Sequence, residues 1–126
     1  MLLRPSSLRN SLQFQAVYKF GKRFDGRYIT AFVHLNYLNE HRLGITASRK
    51  VSSRAVDRNR LRRVIRETFR LSTPSLVNIE CQYDWVINAK RVLLKENLAV
   101  VMKDFDGIIS RVKNLEESRS QFRVIS

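Results

Sequence analysis

The chain has 126 residues, 44% of them hydrophobic, and a formal charge of +13 from 24 basic and 11 acidic side chains. That length suits one domain with one core, the apolar content excludes wholesale disorder, and the charge calls for a polyanionic partner, either nucleic acid or an anionic membrane surface. No apolar run approaches the ~20 residues of a membrane span, and residues 1–7 lack the apolar core of a signal peptide, so a cytoplasmic location is expected.

Residues 1–10 read as an extended arm, because Pro5 and its neighbouring serines disfavour helix. A helix is expected from Ser11, a good N-cap, to Gly21, a good C-cap. Phe14, Val17 and Tyr18 share one of its faces. Either all three are core, or Phe14 and Tyr18 form an aromatic platform at i, i+4; both readings stand at this point. Residues 22–27 are basic and turn-like around Asp25-Gly26, with room for a short strand.

Residues 28–35 alternate with period two. Ile29, Ala31, Val33 and Leu35 suit a core, while Tyr28, Thr30, Phe32 and His34 suit a half-open sheet face. After a turn at residues 36–40, residues 42–48 are expected to return as an antiparallel strand. Its core face would carry Leu43, Ile45 and Ala47. Gly44, Thr46 and Ser48 are small and would leave the other face open, making a shallow trough in which bases stack against aromatic neighbours.

The stretch from Arg49 to Arg70 has nine basic residues against Asp57 and Glu67, and so holds +7 of the chain's +13. Leu61, Val64, Ile65, Thr68 and Phe69 fall on one helical face, and Arg58, Arg62, Arg66 and Arg70 recur every fourth residue on another. A solvated charged face is the ordinary reading of such a run. Yet like charges at i, i+4 destabilise a helix by a few tenths of a kcal/mol per pair, and a polyanion would offset that repulsion. Eight of the nine cations are Arg, whose planar guanidinium suits bidentate phosphate contacts. The helix must stop before Pro74.

Residues 72–82 read as a loop, and residues 83–89 as a third long strand with Tyr83, Trp85 and Ile87 on one face. A final helix is expected from about Lys95, with Leu94, Leu98, Val101, Phe105, Ile108 or Ile109, Val112 and Leu115 at helical spacing. Gly107 weakens it without breaking it. A frayed polar tail is expected from about residue 118, and the whole chain is read as a single RNA-binding domain.

Catalytic groupings are missing from the pattern. The eleven acids are scattered, and Asp104 and Asp106 point about 200° apart on a helix. His34 and His41 fall on strands expected to be neighbours, but such histidines are far more often structural than catalytic. There is no metal-binding Cys/His spacing, Gly-rich phosphate loop or nucleophile motif. Cys81, the one cysteine, reads as a small packed side chain. The polypeptide itself is expected to catalyse nothing.

The stretch Arg42-Leu-Gly-Ile-Thr-Ala-Ser-Arg-Lys-Val51, followed by Ala55-Val-Asp-Arg-Asn-Arg-Leu-Arg-Arg-Val-Ile-Arg-Glu67, closely resembles the protein subunit of bacterial ribonuclease P. Order, spacing and flanking strand all agree, and the resemblance extends to Phe14-x-x-Val17-Tyr18-x-x-Gly21 and to Asp84-Trp-Val-Ile-Asn-Ala-Lys90. It departs at Ser52-Ser53, where many members carry a glycine. The resemblance implies a single-domain α+β fold, α-β-β-β-α-β-α, of the ribosomal protein S5 domain 2-like kind, with a left-handed β-α-β crossover that the usual right-handed preference would not suggest.

The resemblance also implies the non-catalytic protein subunit of an endoribonuclease that hydrolyses one phosphodiester to remove the 5′ leader of precursor tRNA. A large catalytic RNA would supply the active site and bind the divalent metal, Mg2+. On this resemblance Arg49, Lys50, Arg54, Arg58, Asn59, Arg60, Arg62, Arg63 and Arg66 would bind RNA, and Phe14, Tyr18, Phe32 and Lys90 would hold the leader. It assigns no catalytic residue to the chain, places Mg2+ mainly on the RNA and does not specify metal ligands on the protein. A ribosomal or ribosome-assembly protein is the alternative, since it would share size and charge. A helix-turn-helix DNA binder ranks last, because it needs a companion helix where residues 42–50 alternate as a strand.

Overall fold

A computed structural model describes residues 6–125, with side chains described to residue 119. Ser6–Ser7 (β1) leads into a helix at Ser11–Phe20 (α1), and three strands follow at Lys22–Asp25 (β2), Ile29–Leu35 (β3) and Arg42–Thr46 (β4). The arginine-rich helix is Ala55–Leu71 (α2), and one helical turn at Thr73–Leu76 (α3) precedes the strand Tyr83–Ala89 (β5). A 3-10 segment at Arg91–Lys95 leads into the last helix, Leu98–Ile125 (α4). The first half of the expected arm lies outside the described residues, and the second half adds a short strand to the sheet. α4 is continuous through the stretch expected to fray.

Local chemistry sets the helix ends. Asn10, one residue before the expected cap, caps α1 by accepting from Gln13 N at 3.0 Å, while Gln13 Oε1 accepts from Asn10 N at 3.3 Å. Gly21 ends the helix, its N–H donating to Val17 O at 2.9 Å. A Cβ there would stand 2.9 Å from Val33 O, so only glycine lets α1 close onto β3. Pro74 stops α2 and opens α3 near its N-terminus, so the expected loop at 72–82 contains a turn of helix. The 3-10 segment buries Leu93, and it delays α4 by three residues relative to the expected start.

The sheet order is β1-β4-β5-β3-β2. β4 runs parallel to β5 and β1, whereas β3 is antiparallel to β5 and β2. The expected β3–β4 hairpin is therefore absent. β4 does run opposite to β3, but β5 lies between them. Burial explains the insertion, because β5 is covered on both faces, by Trp85 and Ile87 on one and Val86 on the other, and so belongs at the centre. His34 and His41 are accordingly not on adjacent strands. His34 sits opposite Asp84, and His41 Nδ1 accepts from Tyr83 N at 3.0 Å and Trp85 Nε1 at 3.1 Å.

One face of the sheet packs on α2 and α4 around Trp85, with Phe105 edge-on at 5.4 Å and Phe69 at 6.1 Å. The α2 stripe behaves as expected, with Leu61, Ile65, Thr68 and Phe69 buried. Along β3 the core row of Ile29, Ala31 and Val33 is buried too. Tyr28 leaves its expected row and packs against this main core. The other face carries α1 over a smaller cluster of Leu8, Val17 and Val86. Asp104 of α4 clamps the β2–β3 turn by accepting from the N–H groups of Arg27, Tyr28 and Ile29 at 3.0, 2.8 and 3.2 Å.

Candidate nucleic-acid interface

The basic residues around α2 divide into several roles. Arg49, Lys50 and Arg54 are exposed in the entry to the helix. Arg58 Nη1 donates to Ser52 O at 3.0 Å and Ser53 O at 2.9 Å, closing the entry loop, while Ser52 Oγ donates to Asp57. Arg62 reaches Asn59 Oδ1 at 3.1 Å and Ala47 O at 3.2 Å. Arg63 and Arg66 are exposed and make no hydrogen bond or ion pair among the described residues. Arg60 turns the other way and donates to Leu94 O at 2.5 Å, holding the 3-10 segment. Arg70 pairs with Glu67.

The stripe of four is thus less bare than its spacing implies, because Arg58, Arg62 and Arg70 all have acceptors within the chain. Carbonyl oxygens neutralise no charge, however, and each guanidinium retains further donors. Among the described residues, none of the cations from Arg49 to Arg66 is ion-paired.

The second surface lies beside α1. Two cross-strand rungs form its floor: Arg23, Phe32, Val86 and Gly44, then Asp25, Thr30, Asn88 and Thr46. Phe14 sits over the first rung. Gly44 is consequently the seat of the Phe14 ring rather than open floor, since a Cβ there would stand 2.6 Å from Phe14 Cζ. Tyr18 is 39% exposed and meets Phe32 edge-on at 4.8 Å. Its hydroxyl donates to Asn88 Oδ1 at 3.0 Å, which also accepts from Thr46 Oγ1 at 2.5 Å. Phe14 and Phe32 are half-buried against the smaller cluster.

In the second rung Thr46 and Asn88 are half-buried beside Tyr18, whereas Thr30, expected on the half-open face, is buried with its hydroxyl donating to Asp25 Oδ1 at 2.9 Å. Arg23 lies 5.8 Å from the Phe32 ring and bonds both Asp25 oxygens. Arg23 and the Thr30 hydroxyl hold the Asp25 carboxyl below the usual carboxylate range. Lys90 stands at this end of the trough, but its Nζ donates to Gly26 O at 2.6 Å and lies 3.7 Å from Asp25. A cleft of about 420 Å³ at the β4 edge joins the two surfaces, with Phe14 and Gly44 on one side and Arg62 and Arg66 on the other.

Sequence reasoning missed Asn88, an ordinary polar residue inside a buried strand, and it missed the joining cleft, which residues from α1, α2, β4 and the Ser7–Leu8 segment line together. It also missed the Arg42–Asp84 pair at 2.7 Å, to which Asn36 donates at 3.0 Å. Those bonds engage a buried carboxylate, as the N–H groups engage Asp104. Among the described residues no three His, Cys, Asp or Glu side chains converge to hold a metal ion. No helix among them is long and apolar enough to cross a membrane.

A small α+β domain with unpaired cations on one helix, an open aromatic sheet face and a cleft joining them defines a nucleic-acid-binding protein. The ribonuclease P family model matches residues 2–113. The ribonuclease P protein component of Clostridium kluyveri is 36% identical over 108 residues, covering 86% of this chain and 88% of that protein. That of Clostridioides difficile is 37% identical over 112 residues, covering 89% and 90%. Among solved structures, the ribonuclease P protein of Thermotoga maritima superposes with a TM-score of 0.73 at 26% identity, covering 84% of this chain and 96% of that one. The chain belongs to the ribonuclease P protein component family. Neither the ribosomal alternative nor the helix-turn-helix reading is favoured, and residues 42–46 are a strand where the latter needs a helix.

Proposed function

We propose that the chain binds a catalytic RNA through α2 and its entry turn, and holds the single-stranded 5′ leader of precursor tRNA in the trough beside α1. The RNA supplies the active site and holds Mg2+, and the location is the cytoplasm. Arg49, Lys50, Arg54, Arg58, Asn59, Arg62, Arg63 and Arg66 contact RNA phosphates, lowering their mutual repulsion. Arg60 supports the fold through Leu94 and binds RNA only with its remaining donors. Phe14, Tyr18 and Phe32 receive leader bases, whose faces stack without regard to sequence. Lys90 balances Asp25 at the end of the trough and offers its charge to a passing phosphate.

The observation that supports this reading best is the cleft in which Phe14 faces Arg62 and Arg66, because it puts a base-stacking surface within one strand's width of a phosphate-binding one. The test is reconstitution with the catalytic RNA and precursor tRNAs of stepwise shorter leaders. The chain should raise affinity for long leaders, and the gain should vanish as the leader becomes too short to enter the trough. An equal gain for leaderless tRNA, or cleavage by RNA-free protein, would contradict the proposal.

A further inference from the structure

α1 has a second flank. Away from the trough, it overhangs the rung formed by His34, Asp84 and Arg42. A groove of about 500 Å³ runs there, with Leu12, Gln13 and Ala16 on the helix side and His34, Tyr37 and Arg42 on the sheet side. Past His34 and Tyr37 it continues into a cleft of about 270 Å³ bounded by Phe20, Lys22 and Arg119. Phe20 and Tyr37 are 66% and 89% exposed, and the Phe20 ring lies 6.1 Å from His34 at a 34° tilt.

Tyr37 is the only non-glycine residue with positive φ among the described residues, at 56°. A bulky L residue rarely adopts that conformation. Asn36 enforces it, accepting from Leu38 N at 2.8 Å and donating to Glu40 O and Asp84 Oδ1 at 3.0 Å. The ring gains almost no burial in return. Its exposure is thus imposed by a braced turn and is not repaid by packing within the chain.

The charge around the groove is positive. Lys19 stands 5.3 Å from the Phe20 ring, and Lys19, Lys22 and Arg119 form no ion pair among the described residues. Asp84 is neutralised by Arg42, leaving Glu40 as the exposed acid of the loop. Exposed rings among unpaired cations fit a base-bearing polyanion better than an apolar protein surface.

We propose that this groove is a second binding site for single-stranded RNA, with bases stacking on Phe20, His34 and Tyr37 and phosphates held by Lys19, Lys22 and Arg119. The proposal rests on the chain's being an RNA binder, but not on the trough. The test measures binding of the full chain to a labelled oligoadenylate, in the wild-type background and in a Tyr18→Ala/Phe32→Ala background. Tyr37→Asn removes the ring while keeping a residue that tolerates positive φ, and Phe20→Ala removes the second ring. Each should weaken binding about fivefold or more in both backgrounds, as for one lost stacking partner. The melting temperature of Tyr37→Asn should hold or rise, which a merely structural tyrosine would not allow. If the trough variants bind normally while Tyr37→Asn does not, the trough reading fails and the groove stands. Unchanged binding by both groove variants in both backgrounds would overturn the site. So would a change confined to self-association in sedimentation, which would make the groove an interface between copies.

Discussion

Replacing Tyr18 with alanine separates a leader-binding role from a packing role. A fully buried aromatic ring changed to alanine costs ~3–5 kcal/mol. Tyr18 is 39% exposed, donates a hydrogen bond to Asn88 and meets Phe32 edge-on. About half the buried-ring cost is expected, ~1.5–2.5 kcal/mol, of which the hydrogen bond supplies about 1. Affinity for leader-bearing tRNA should fall by ~1–3 kcal/mol, or about 5- to 150-fold, through the lost stacking partner. Affinity for leaderless tRNA should not change. Tyr18→Phe keeps the ring, so it should retain leader affinity while losing the Asn88 bond. Phe105→Ala, buried in the main core, should cost the full ~3–5 kcal/mol and show no preference between the RNAs. The assays are a denaturant melt of each variant and titration of reconstituted holoenzyme with both tRNAs. Equal losses for both RNAs, or a Tyr18→Ala melt as severe as that of Phe105→Ala without selective loss, would return Tyr18 to the core.

Arg63→Ala and Arg66→Ala should leave stability within about 0.5 kcal/mol and lower the salt dependence of RNA binding by about one unit of slope each; unchanged slopes would remove α2 from the interface. Arg58→Ala should weaken RNA binding and also cost ~1 kcal/mol of stability, because it closes the loop at Ser52 and Ser53. Gly107→Ala should stabilise the chain by ~1 kcal/mol and leave RNA binding alone, since a Cβ there meets nothing within 4 Å; a destabilised variant would contradict the placement of α4. Burial holds the His41 imidazole below its ordinary value of 6.5, against the pull of Glu116. The unfolded chain therefore binds the proton more readily, and this contribution to stability should be present above pH 6.5 and fall as the pH drops below it. His41→Gln should flatten that fall in melts between about pH 8 and 5.

What the sequence makes legible is mostly local. The alternation of Ile29, Ala31 and Val33 marks the buried face of β3, and the Leu61–Ile65–Phe69 spacing marks that of α2, because each pattern reports one element against solvent. The second neighbour of β3 is not legible, since that strand begins at Tyr83, far downstream. Consecutive strands pair often enough that β4 was the natural expectation. In the candidate site, Phe32 and Tyr18 follow from periodicity and polarity. Arg60 does not: the motif groups it with Arg58, but two helical residues turn it about 200° toward Leu94. Asn88 becomes a floor residue only because β5 is central, and Gly44 becomes a seat only because α1 lies across it.

The central assignment, leader in the trough and catalytic RNA on α2, is tested most directly by photocrosslinking within the reconstituted holoenzyme. Precursor tRNA carrying 4-thiouridine in its leader is irradiated, and the crosslinked peptide is identified by mass spectrometry. The same is done with thiouridine in the catalytic RNA. Leader crosslinks should fall on the peptides bearing Phe14 and Tyr18 or Thr30 and Phe32, and catalytic-RNA crosslinks on the peptides from Arg49 to Arg66. Leader crosslinks confined to the outer face of α4, around Lys103 and Asp106, would contradict the assignment.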